Sequence, residues 1–121
     1  MLTIDDVISR VRALAIAAPD NVYLDAGRGC YYTRGDCENG SVGCIFGQAL
    51  APEYKERLAA IDQHSACNID DAITQLGIGA DVSSAAIADR IDWCNIIQQS
   101  QDSGETWRDA VAFADSNIGV G

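Results

Sequence analysis

The chain has 121 residues, 48% of them hydrophobic and 21% charged, with a net charge of −10 and only two prolines. That is enough chain for one domain that buries roughly two thirds of the surface it exposes when unfolded, so it needs no disulfide or metal to hold its core. The composition excludes a disordered protein, and 18 acids against eight bases disfavour a surface built to grip nucleic-acid phosphates.

The first element is signalled at once by "LTIDDVISRVRALAIAAPD". Thr3 is placed to cap a helix, Asp6 to complete a capping box, and Leu2 to staple against Val7. Ile4, Val7, Ile8, Val11, Leu14 and Ala15 recur on one face until Pro19 ends the run. The opening residues are acidic where a secretory leader carries positive charge, and no apolar run reaches the length of a membrane span. A cytoplasmic protein is therefore expected.

Residues 21–42 break the periodicity. Gly27, Gly29, Gly35 and Gly40 and several turn formers surround a short β-favouring run, Cys30 to Thr33. The pattern predicts a long Gly-rich loop holding at most one short hairpin, through Tyr23 and either Tyr31 or Tyr32, with Asn39-Gly40 as a tight turn. A connection of this length in a small domain is a place to look for function. Tyr31 and Tyr32 are neighbours, so in an extended run they face opposite sides. Together with Arg34 they are the candidate interface residues. Arg34-Gly35-Asp36 matches an integrin-recognition tripeptide, which in a cytoplasmic chain is coincidence.

From Ser41 the helical pattern resumes. Ser41 is expected to cap a helix with Val42, Ile45, Phe46 and Leu50 along one side, and Pro52 to open a second with Tyr54, Leu58 and Ile61 inward. Asn68 opens a short helix using Ile69, Ala72, Ile73 and Leu76, closed by Gly77. Asp81 is expected to cap a long helix whose inner face runs Ile87, Ile91, Cys94 and Ile97 or Gln98. After Asp102-Ser103-Gly104, Thr106 and Asp109 offer another capping box before Trp107, Ala110, Val111 and Ala114. The short polar connection predicts an antiparallel helical hairpin over residues 82–116, anchored by Trp107. The expected fold is thus a single, mainly α, compact domain over 1–121. It has five or six helices and the irregular segment at 21–42.

Five cysteines are many for this length, but the number is odd. In a reducing compartment each behaves as a small buried hydrophobe. Cys30, Cys37 and Cys44 are separated by six residues and six again, whereas a zinc site draws its ligands in close pairs; only His64 and Cys67 are that close. No metal and no cofactor are expected. Cys44 lies near a predicted helix start, where the dipole lowers a thiol's pKa, and His64 is the lone imidazole, with Asp62 or Asp70 to orient it. These two are the minority thiol-site candidates. The plainer account is that Gly43, Cys44 and Gly47 are small so that another element can lie close. Neither GxGxxG nor a phosphate-binding loop is present. Asp5-Asp6 and Asp70-Asp71 fall in helix first turns, where the macrodipole favours them.

Two segments, "GCIFGQAL" at 43–50 and "QQSQDSGETWRDAV" at 98–111, together resemble small uncharacterised proteins of actinobacteria and their bacteriophages. The resemblance implies a setting, that of a phage-borne accessory or host-modulating protein, and no catalytic residue. The expectation is a non-enzymatic domain that binds another protein, takes neither nucleic acid nor membrane as partner, and is compatible with a homo-oligomer. Two other readings stand beside it: an acidic DNA mimic that inhibits a nucleic-acid enzyme, and a cysteine-dependent hydrolase centred on Cys44. A helix-turn-helix reader built from residues 52–76 ranks last, with only Lys55 and Arg57 to meet phosphates.

Overall fold

Thr3 stands at the N-cap of the first helix, α1 (Ile4–Ala17), in a computed structural model that describes residues 2–24, 31–64, 68–79 and 84–119. Its hydroxyl accepts from the Asp6 amide at 3.1 Å, and the Asp6 carboxyl accepts from the Thr3 amide at 2.9 Å, so the capping box is complete. Those hydrogen bonds hold the Asp6 carboxyl below its usual range. Leu2 and the Ile4, Val7, Ile8, Val11 and Ala15 face are buried.

Four further helices follow: α2 (Ile45–His64), α3 (Ile69–Leu76), α4 (Ser84–Asp102) and α5 (Trp107–Asn117). The two helical stretches expected around Pro52 are both present and run on as α2 across a kink, where Tyr54 leaves helical geometry at φ −127°, ψ 18°. Proline supplies no amide to the preceding turn and crowds its carbonyl, which is enough to bend a helix without ending it. α3 ends as the sequence predicts. Gly77 is left-handed at φ +74° and the Ile78 amide closes on the Ile73 carbonyl, while Arg57 of α2 donates to the Gln75 carbonyl at 2.5 Å.

α4 and α5 form the expected antiparallel hairpin. Near its turn the Glu105 amide reaches the Ser100 carbonyl, and far from it the Trp93 indole N–H donates to Asp115 at 2.9 Å. Asp81 lies outside the described residues. Thr106 caps α5 by accepting from the Asp109 amide, and the next free amides of that helix, on Trp107 and Arg108, donate to the carbonyls of Asn21 and Pro19. Trp93 and Trp107 are both fully buried. Arg12 of α1 pairs with Asp115 through two bonds of 2.7 and 2.8 Å while its guanidinium lies 5.0 Å over the Trp93 ring. One clasp therefore ties α1, α4 and α5, and it holds the Asp115 carboxyl below its ordinary range. A second ion pair, Arg10 to Glu53, ties α1 to α2.

The inner face of α4 carries more than apolar residues. Besides Trp93, Cys94 and Ile97 it buries Gln98 and Gln101. The Gln101 side-chain oxygen accepts from the Ile45 amide at 2.8 Å, and that of Gln98 from the Ile69 amide at 2.7 Å. Each is the first amide of a helix, one of four that no intrahelical carbonyl can reach. α4 thus caps α2 and α3 from outside. Ser41 does not cap α2, as the sequence suggests it should: its hydroxyl is engaged by Asn39 and by the Gln48 amide group. Val42 is 53% exposed rather than inward.

Candidate functional site

Residues 31–43 lie across α2, and one side chain accounts for most of their placement. Asp62 falls one residue after Ile61 and four after Leu58, on the buried side of α2, and is itself buried. One carboxyl oxygen accepts from the Tyr32 amide at 3.0 Å. The other accepts from the Thr33 amide at 2.8 Å and the Thr33 hydroxyl at 2.6 Å. The Asp62 backbone carbonyl accepts from the Arg34 guanidinium at 2.9 Å. Four donors from three consecutive residues converge on one position, so this stretch is fixed without regular secondary structure.

Close approach completes the anchoring. A Cβ on Gly47 or Gly43 would collide with the Tyr32 carbonyl, and Gly43 also sits at φ +90°. These positions are therefore small because the 31–33 backbone passes over them. Tyr23 fills the other side: its hydroxyl donates to the Arg34 carbonyl at 3.1 Å and accepts from the Tyr31 amide at 3.3 Å.

Two isolated antiparallel bridges, Tyr23 to Cys37 and Asp36 to Val42, complete the segment. The hairpin partner of Tyr23 is thus Cys37, not Tyr31 or Tyr32. Strand alternation sorts the side chains. Tyr23 and Cys37 point inward and are buried, whereas Leu24, Asp36 and Val42 share the outer side, with Leu24 60% exposed. The Gly40 amide closes on the Cys37 carbonyl, which places Asn39-Gly40 in the tight turn the sequence predicts.

The three candidate interface residues separate. Tyr32 is 1% exposed, and its hydroxyl accepts from the Gln98 amide group at 3.3 Å; it belongs to the core and is withdrawn from the candidate surface. Tyr31 is partly exposed, and the exposed Arg34 lies 4.2 Å over its ring. The two stack at the rim of the outer face. Arg34 and Asp36 of the integrin-like tripeptide are both exposed, and Gly35 between them is pinned against the Tyr23 ring at φ +92°.

The described thiols face inward. Cys37, Cys44 and Cys94 are buried and in no disulfide; the Cys37 thiol donates to the Gly43 carbonyl, and burial pushes the Cys94 thiol up to about 12. Cys44 has no solvent exposure, so its thiol is closed to a substrate in this arrangement. Cys30, Cys67 and the side chain of His64 lie outside the described residues. Among the described residues no three histidine, cysteine or acidic side chains are gathered as metal ligands, and no helix is long and apolar enough to cross a membrane.

Sequence reasoning overlooked Asp62 as an anchor and treated it only as a partner for His64. The available signal was a lone acid beside the inward Leu58 and Ile61 positions, where an acid must find donors. Comparison with protein-family models, curated proteins and solved structures returns no match to this chain.

Proposed function

We propose that this chain is a non-enzymatic protein-interaction domain whose contact surface is the outer side of the Asp62-anchored segment. The observation that carries this reading is the pairing of a fixed backbone with exposed apolar side chains. Leu24 and Val42 flank Asp36, beside Arg34 stacked on Tyr31. A surface whose geometry is set before contact loses little conformational entropy on binding, and burying Leu or Val in full is worth about 1.5–3 kcal/mol each. Arginine and tyrosine are also the residue types that most often dominate interface energetics.

The acidic surface favours this over DNA mimicry. Asp5, Asp20, Glu53 and Asp115 pair with arginines, and Asp6 is spent on a cap. Part of the same proposal is an accessory or host-modulating role inside the cell, the setting that the resemblance of the 43–50 and 98–111 segments to small actinobacterial and phage proteins implies. Three free buried thiols suit a reducing cytoplasm.

The test is affinity capture from host extract with the full chain, its Arg34→Glu/Val42→Glu variant, and an Ile16→Glu control on an exposed residue of α1. We expect a partner held by wild type and control and weakened at least about tenfold, roughly 1.4 kcal/mol, by the double change. If every captured protein stays bound to a normally folded double variant, the contact surface lies elsewhere.

A further inference from the structure

A second surface lies on the α4–α5 hairpin. A cleft of about 510 Å³ runs between the two helices near their turn, lined by Ile96 and Gln99 of α4, Ser103 and Glu105 of the turn, and Asp109 and Phe113 of α5. Phe113 is 57% exposed, a large aromatic face left in water where most domains bury it. The rim is fixed. The Ser103 amide and hydroxyl both donate to the Gln99 carbonyl, the Gly104 amide to Gln101 and the Glu105 amide to Ser100.

Its charge has one sign. No lining residue is basic, and Glu105 has no ion-pair partner among the described residues. Arg108, the nearest cation in sequence, reaches Asp20 at 3.3 Å and Asp109 only at 3.9 Å. Helical spacing carries the same face of α4 back through the exposed Asp92 and Asp89. A mixed slot with Ile96 and Phe113 as its apolar walls, Glu105 on its rim and Asp109 only loosely engaged by Arg108, on a chain of net charge −10, complements a cation and repels a second copy of itself.

We propose that this cleft docks a cationic peptide segment of a partner protein. One apolar side chain of that segment sets between Ile96 and Phe113, and lysines or arginines lie opposite Glu105 and Asp109. The site is separate from the Leu24–Val42 surface, so either can fail without the other.

The probe is a short fluorescein-labelled peptide of leucines and lysines in helical spacing, compared with the same peptide carrying glutamates for lysines. Binding is read by fluorescence polarisation, and its position by amide chemical shifts of the full-length protein. The lysine peptide should bind and move amides between Ile96 and Phe113. Phe113→Ala should weaken it about fivefold or more, as loss of an aromatic anchor does. Glu105→Gln/Asp109→Asn should weaken it and flatten its salt dependence, while Glu56→Gln/Asp71→Asn, equal in charge removed, should not. Any of four results overturns the proposal: equal binding of the glutamate peptide, shifts spread evenly over the acidic surface, indifference to Phe113→Ala, or a concentration-dependent dimer that Phe113→Ala dissolves.

Discussion

Asp62 is the residue on which the candidate surface turns. Replacing it with alanine strips the acceptors from two amides and a hydroxyl, and buried donors left unpaired cost about 1–3 kcal/mol apiece. Because only the Tyr32 amide is fully buried while the two Thr33 donors can partly reach water, we expect Asp62→Ala to destabilise the chain by roughly 2–4 kcal/mol in chemical denaturation, and Asp62→Asn, which keeps one acceptor, by less. Equal losses for the two would mean that packing, not hydrogen bonding, is what the residue supplies. Asp102 behaves in the opposite sense. Half-buried at the end of α4, with one oxygen enclosed and unpartnered among the described residues, it is pushed up by burial to about 6 from an ordinary 3.8. The folded chain therefore holds this proton more tightly than the unfolded one. The contribution to stability is whole below about pH 4 and is lost as pH rises through about 6. Asp102→Asn should accordingly stabilise the protein at pH 7, by roughly 1 kcal/mol once solvent screening of a half-exposed group is discounted. That gain should vanish near pH 4, and a gain that persists there would refute the assignment.

At the scale of elements, α1 and α5 begin and α3 ends on local caps, whereas α2 and α3 begin with help from afar. Thr3, Thr106 and Gly77 do what their positions predict, because a cap is a contact within four residues. Ser41 does not, because the first amide of α2 is met by Gln101, 56 residues away, and no local pattern encodes such a contact. The Tyr23–Cys37 bridge was hidden for the same reason: β-propensity marked the Cys30–Thr33 run, while register was set by where Asp62 holds the chain. Of the site, the glycines around Cys44 were legible as a close approach, Arg34 as a surface candidate, and Tyr31 and Tyr32 as facing opposite sides; which of the two tyrosines is buried was not. Gln98→Met and Gln101→Met preserve volume but remove the acceptors for Ile69 and Ile45. Each should cost about 1–3 kcal/mol and speed hydrogen exchange at the amide it orphans. Unchanged exchange at Ile45 and Ile69 would show that the glutamines are not caps.

For the whole molecule, burial is spread through one continuous core from Leu2 to Ala114, while the surface is dominated by acids. Exposed ion pairs contribute about 0–1 kcal/mol each, too little to offset the mutual repulsion of a −10 chain. Screening should therefore help more than it harms. Raising sodium chloride from about 20 to about 500 mM, which shortens the Debye length several-fold, should lift the melting temperature by a few degrees. A fall would put the arginine clasps, Arg12 to Asp115 above all, in charge of stability.

The two glutamines of α4 also impose an order in time. A ribosome adds α2 and α3 before residues 98 and 101, so the leading amides of both helices stay bonded to water until α4 has been made and docks. The Tyr32 hydroxyl waits on Gln98 as well. The candidate face near the front of the chain is anchored early by Asp62 but gains its last support, Gln98 at the Tyr32 hydroxyl, only once the final third has been synthesised, and a message cut short before that point yields a chain that lacks this support.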